Sequence, residues 1–251
     1  MLILIGVPRE RLDLVLVRRG LAETRERAHA LILSGAVAVD GQTATRPSQS
    51  VTSAAAVEVA NAGPDYVSRG ALKLEKALDY WRIDPSGKVV LDVGASTGGF
   101  TDLLLRRGAA RVYAVDVGYG QLHYRLRGDP RVINLERTNI RYLNELPEIA
   151  ALGVVDVSFI SLKLALPPMF KLVNNEIVAL IKPQFEAGRA EVGKGGVVRD
   201  ERVRQRVIED LRSWSESQPW HLQASVESPI TGPAGNVEYL SRWTPIITRE
   251  C

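Results

Sequence analysis

Apolar positions come in short, interrupted runs over the first sixty residues and in longer, regularly alternating blocks from Val89 onward. After Pro8, the segment RERLDLVLVRRGL puts Leu12, Val15 and Leu16 on one helical face. Arg18-Arg19-Gly20 then reads as a stop, since glycine suits a left-handed cap and arginines complement the helix C-terminal dipole. Thr24 is a good cap for a second helix through Leu33, with Ala28, Leu31 and Ile32 facing inward and Ser34-Gly35 ending it. The alternating stretch AVAVDGQT follows, and its Asp40-Gly41 pair signals a two-residue hairpin turn. Val57-Glu58-Val59 reads as the last strand of this small unit.

From Val89, apolar strands alternate with helical stretches: VVLDVG, FTDLLLRRG and ARVYAVDVG, then strands near RVINL, GVVDVSFI and EIVALIKPQF. A long amphipathic helix, capped by Asp200 and running to about Ser217, precedes the strands HLQASVESPI and VEYLSRW. Such alternation predicts an α/β doubly wound sheet, parallel at its centre. With no helix between the last two strands, one of them is expected to be antiparallel. The expected domains are 1–62, a linker at 63–67, and 68–251.

Composition narrows the class. The 251 residues are 45% hydrophobic, enough for a real core. The single cysteine, Cys251, rules out a disulfide framework and favours a reducing compartment. The apolar start MLILIGV is too short for a signal-peptide core, and no run of about 18 apolar residues exists. A cytoplasmic protein without membrane contact is therefore expected. The net charge of +3 is spread out, with seven basic against six acidic residues in the first sixty and 25 against 23 after, so totals do not choose a partner. His29, His123 and His221 lack metal-ligand spacing, and no metal is expected.

Chemistry concentrates at the strand ends. The first long strand runs into Asp92-Val93-Gly94-Ala95-Ser96-Thr97-Gly98-Gly99, where glycines let the backbone approach a ligand. This is neither GxGxxG nor a phosphate loop, so a pyrophosphate cofactor is less favoured. Asp116 ends the second strand 22 positions after Gly94, where a carboxylate can accept both hydroxyls of a ribose. Thr138 and Asn139 are read as ending the third strand, where polar groups can read an adenine. Activating a sugar hydroxyl, such as a ribose 2′-hydroxyl, as a nucleophile requires removing the proton of a very weak acid. A lysine does this only if its pKa falls from about 10.4 to roughly 7–8, through burial and a like-charged neighbour oriented by carboxylates. Lys73 on the entering helix, Asp156 and Lys182 at strand ends, and Glu238 at the start of the last strand are the candidates. Lys194, in the loop GKGG, is a candidate RNA phosphate contact.

Two short helices followed by a tight hairpin, with Arg18, Arg19, Arg25 and Arg27, resemble the alpha-L RNA-binding domain of a ribosomal protein and several RNA-modifying enzymes. That resemblance implies phosphate contacts from those four arginines. SRGALKL, LDVGASTGGFTD, AVDVGYGQL, VVDVSFISL, LIKPQFEAGRAEVGKGG and GPAGNVEYL resemble the TlyA-type family, which also carries the names hemolysin A and FtsJ-like. The resemblance spans about Arg11 to Trp243. It implies a class I methyltransferase fold with a terminal antiparallel hairpin, S-adenosylmethionine as cofactor, and methylation of a ribose 2′-hydroxyl, of cytidine, in the RNA of ribosomal subunits. It carries over Lys73, Asp156, Lys182 and Glu238 as the catalytic tetrad, with Lys182 taking the proton, and cofactor contacts at Gly94, Ser96, Gly98 and Asp116. Some members have Arg-x-Trp-Val in the linker where this chain has Pro64-Asp65-Tyr66-Val67. Oligomeric state is not legible. One alternative is a non-catalytic RNA-binding assembly factor, against which the intact tetrad argues. A membrane-active hemolysin would need a membrane-seeking segment, and none is evident.

Overall fold

The computed structural model describes residues 9–22, 24–33, 35–59 and 66–246. Ser34, linker positions 63–65 and the tail with Cys251 lie outside them. The chain divides into two compact units, Met1–Asp65 and Tyr66–Cys251.

In the first unit, helices α1 (Leu12–Arg18) and α2 (Arg25–Leu33) pack together. Leu12, Val15 and Leu16 are buried with Ala28, Leu31 and Ile32. The Thr24 hydroxyl accepts the Arg27 N–H at 3.1 Å, capping α2. Strands β2 (Val37–Val39) and β3 (Gln42–Thr43) form the hairpin, with Val39 opposite Gln42 and both Asp40 and Gly41 at positive φ, the twist a two-residue turn demands. β5 (Val57–Val59) completes that sheet against β2. A second pair, β1 (Arg9–Arg11) with β4 (Ser50–Thr52), carries no apolar alternation and was not expected.

The second unit is a seven-stranded mixed sheet. Its strands are β6 (Val89–Val93), β7 (Arg111–Val115), β8 (Val132–Leu135), β9 (Ala150–Val155), β10 (Val173–Ile181), β11 (Trp220–Glu227) and β12 (Tyr239–Pro245), in the order β11-β12-β10-β9-β6-β7-β8. β6 to β10 are parallel, and β12 runs antiparallel to both β10 and β11. The chain winds outward from β6 to β8, then returns to β9 on the other side of β6. The cleft at such a reversal, outside the carboxyl ends of β6 and β9, is where an open sheet accepts a ligand.

Central strands are buried on both faces, so they read as continuous apolar runs. Val90, Val112, Leu152, Val154, Val178 and Leu180 face helices α3 (Gly70–Trp81) and α4 (Gly99–Arg106). Leu91, Val93, Tyr113, Val115, Val155 and Ile177 face α6 (Leu162–Leu172) and α8 (Glu201–Ser215). Short helices α5 (Tyr124–Arg127) and α7 (Pro183–Glu186) follow β7 and β10.

Two boundaries differ from expectation. β8 stops at Leu135, so Thr138 and Asn139 lie in the turn beyond it, with the Asn139 side chain capping a 3-10 turn at Ile140–Tyr142. α8 ends at Ser215 rather than Ser217, while Asp200 caps it as expected.

Candidate active site

The glycine-rich turn after β6 is shaped by what glycine omits. At Gly94, φ is 83°, and a Cβ would overlap the Asp156 carbonyl oxygen at the end of β9. Gly98 has φ 99° and caps the start of α4. Between them Ser96, also at positive φ, donates its backbone N–H to Asp116 Oδ2 at 2.8 Å, while Gly118 N–H donates to Oδ1 at 2.7 Å. Asp116 thus ties two loops together, and each oxygen keeps a further acceptor position. Gly94, Ser96, Gly98 and Asp116 share the loops at the carboxyl ends of β6 and β7, and Asn139 sits in the neighbouring loop after β8.

The four tetrad candidates form two ion pairs. Lys73 Nζ donates to Glu238 Oε2 at 2.6 Å, and both side chains are buried. Lys182 Nζ lies 2.6 Å from Asp156 Oδ1 and donates to the Ser158 hydroxyl at 2.9 Å. Strand register brings the pairs to one end of the sheet. Ile181 pairs with Tyr239, so Lys182 and Glu238 stand at the next step beyond that ladder, while Val155 pairs with Ala179 and with Val93. Gly232 makes room for the Glu238 carboxylate, since a Cβ there would overlap Oε1. Two charged pairs beside a glycine-lined cleft can hold a hydroxyl, accept its proton and stabilise the resulting charge.

Supporting residues were not legible in the sequence. Asp92 is fully buried, accepts the Thr101 hydroxyl at 2.6 Å, and its Oδ1 has no hydrogen-bond partner among the described residues. Burial pushes its carboxyl up to about 7, helped by the Asp156 charge and opposed by the Thr101 bond. Glu186, raised by burial, accepts from Ser161 Oγ at 2.6 Å and Leu162 N–H at 2.7 Å, stapling the turn after Lys182 to the loop after Asp156. Phe159 in that loop has φ 64°, is 90% exposed, and lies 5.1 Å from the Phe185 ring. The exposure of Phe159 is a structural fact that the apolar string VSFI does not announce.

The expected RNA-contacting arginines have intramolecular work. Arg19 donates to the carbonyls of Ala55 at 3.0 Å and Ser53 at 2.9 Å. Arg18 pairs with Glu10, and Arg25 with the buried Asp13, which also receives Arg11 and His29. Hydrogen bonds from Arg11 foremost, with His29 and Arg25, hold the Asp13 carboxyl well below the usual carboxylate range. Lys194 is exposed at the tip of a hairpin closed by Gly193 and Val197. His123 caps α5 through Nδ1. Among the described residues no group of three or more His, Cys, Asp or Glu gathers to hold a metal, and no helix is long and apolar enough to cross a membrane.

Comparison with known proteins adds the family context. A model of the FtsJ-like methyltransferase family matches residues 66–243, and an S4 domain model matches residues 10–57. The chain is 48% identical to the 16S/23S rRNA (cytidine-2′-O)-methyltransferase TlyA of Mycobacterium tuberculosis over 92% of this chain and 88% of that one. It is 42% identical to Hemolysin A of Brachyspira hyodysenteriae, over 93% and 99% of the two chains. A solved chain from Streptococcus thermophilus, under a hemolysin description, matches with a TM-score of 0.74 at 38% identity, covering 96% of this chain and 90% of that one.

Proposed function

The chain belongs to the FtsJ-like methyltransferase family, with an S4 domain ahead of it, and we propose that it methylates the 2′-hydroxyl of a cytidine in ribosomal RNA with S-adenosylmethionine. The observation that carries this reading is the pairing of Lys182 with Asp156 and of Lys73 with Glu238, at the strand ends beside the glycine turn.

The cofactor's fit rests on the turn itself. Gly94 leaves open backbone where a side chain would collide with Asp156, and Asp116 retains acceptor capacity for a ribose diol. Gly94, Ser96, Gly98, Asp116 and Asn139 would hold S-adenosylmethionine, which supplies an electrophilic methyl on sulfonium.

Lys182 Nζ, held by Asp156 and Ser158, would take up the hydroxyl proton as the free amine, having first passed its own proton to the adjacent carboxylate or to solvent. The Lys73–Glu238 pair fixes the neighbouring wall and keeps a second positive charge beside the developing alkoxide. Phe159 offers an open aromatic face to a base that has left its stack. In the small unit, arginines on α1 and α2 contribute sequence-independent affinity for phosphates. A ribosomal-subunit substrate puts this activity in the cytoplasm.

The test uses tritiated S-adenosylmethionine with purified ribosomal subunits, followed by mapping of 2′-O-methyl marks. Label in ribosomal RNA that disappears with Lys182→Ala, while cofactor binding persists, supports the reading. Undiminished labelling by that variant removes the role of Lys182, and no labelling of any RNA by the unaltered protein overturns the proposal.

A further inference from the structure

Asn236 is 2% exposed and uses both ends of its amide on one other loop. Its Oδ1 accepts the Val198 N–H at 2.9 Å, and its Nδ2 donates to the Gly196 carbonyl at 2.8 Å. Gly196 and Val198 belong to the hairpin whose tip carries Lys194, in which Gly195 and Gly196 have φ of 83° and 75°. Three glycines in four positions, Gly193, Gly195 and Gly196 around Lys194, give that hairpin little stiffness of its own. Its far side is held by Arg204, which donates to the Val198 and Arg199 carbonyls at 3.3 and 2.8 Å.

On its own loop Asn236 stands two positions before Glu238, and its carbonyl accepts the Gly232 N–H at 2.9 Å, closing the turn whose missing side chain admits the Glu238 carboxylate. One buried amide therefore joins the turn that seats Glu238 to the hairpin that presents Lys194. Burying an amide is costly unless its bonds are made, and here both side-chain bonds go to the hairpin while the backbone carbonyl of the same residue closes the Glu238 turn.

We propose that Asn236 is a positioning residue, registering the Lys194 hairpin against the Glu238 turn so that the Lys73–Glu238 pair is in place when RNA reaches the cleft. This rests on the methyl-transfer reading above. Asn236 touches neither cofactor nor substrate and acts through Glu238 and the hairpin backbone.

The test compares Asn236→Ala and Asn236→Asp with the unaltered chain, measuring methyl transfer, cofactor affinity and amide hydrogen exchange. Asn236→Ala is expected to lower kcat about 10- to 100-fold, the scale for a misplaced catalytic group. Cofactor Kd should stay within about threefold, and exchange should accelerate in the peptides covering 193–199 and 232–240 but not across the sheet. Asn236→Asp keeps the acceptor for Val198 but sets a carboxylate oxygen against the Gly196 carbonyl, so it should retain protection at Val198 and fall between the other two in kcat. Turnover within twofold of the unaltered chain for Asn236→Ala overturns the proposal. So does a loss of turnover in both variants with exchange accelerated throughout the unit, which marks a general loss of stability. If the unaltered chain methylates no RNA, the functional reading fails separately, and the exchange pattern alone decides whether Asn236 joins the two loops.

Discussion

Lys73 and Glu238 stand 165 positions apart, yet their side chains meet at 2.6 Å with both groups nearly removed from water. A buried pair of this kind is a poor source of net stability but very costly to break on one side. Lys73→Met should leave Glu238 buried and uncompensated, lowering stability by about 3–5 kcal/mol. Adding Glu238→Gln should recover most of that loss without restoring methyl transfer. Thermal melts with parallel activity assays check both parts, and recovered activity in the double variant would show that the pair serves structure alone.

Gly232 isolates the geometry of the same carboxylate. Gly232→Ala places a Cβ onto Glu238 Oε1 without altering any charge. A displacement near 1 Å costs on the order of 100-fold in turnover for a positioned catalytic group, so kcat should fall by about that factor. Cofactor affinity, measured by calorimetry, should not change, because Gly232 is not among the residues assigned to the cofactor.

The cofactor side of the cleft responds to Gly94. Gly94→Ala must place a Cβ against the Asp156 carbonyl at a φ of 83°, where L-residues are strained. Cofactor affinity should drop at least tenfold, by roughly 1.4 kcal/mol or more. Gly87→Ala also has positive φ but nothing near its Cβ, so it should cost stability without touching cofactor affinity.

Much of this arrangement is legible before any coordinates because strand ends announce themselves. Asp116, Asp156 and Lys182 each follow an apolar run, and parallel strands deliver their carboxyl ends to one edge. Pairing is not legible. That Lys182 meets Asp156 depends on register between β10 and β9, and that Lys73 meets Glu238 depends on helix α3 packing beside a strand end far along the chain. Helix α6 was hidden because Pro167 and Pro168 lie inside it, against the usual reading of proline as a helix breaker. β1 was hidden because Arg9-Glu10-Arg11 has no apolar alternation to detect. Asn236 gave no signal because its value lies in two backbone partners some forty residues away.

Asp92 sets a pH dependence of stability. Its carboxyl is pushed up to about 7 from 3.8 by burial, so between those values the unfolded chain gives up a proton that the folded chain keeps. Unfolding then releases a proton, and stability falls as pH rises, by about 1.4 kcal/mol per unit and at most about 4 kcal/mol in all. Above pH 7 this contribution levels off. Asp92→Asn should flatten the decline between pH 4 and 7, measured as denaturant midpoints at each pH. An unchanged slope in that variant would mean Asp92 ionises normally in the folded protein.

Arg19 separates holding the small unit together from holding RNA. Its guanidinium spans two carbonyls, of Ser53 and Ala55, in the loop before β5, and a planar fork is needed to reach both. Arg19→Lys keeps the positive charge but can serve only one carbonyl well, so it should destabilise the unit by about 1–2 kcal/mol. If Arg19 works chiefly through that loop, both variants should lower stability, Arg19→Ala by more because it loses both carbonyl bonds. In both, the slope of log affinity for ribosomal RNA against log salt should then keep its value. If it is instead a phosphate contact, only Arg19→Ala should reduce the slope, by about one unit, since lysine still neutralises a phosphate. The two carbonyl bonds favour the first outcome, and a slope that changes in Arg19→Ala alone would return Arg19 to the RNA-binding surface.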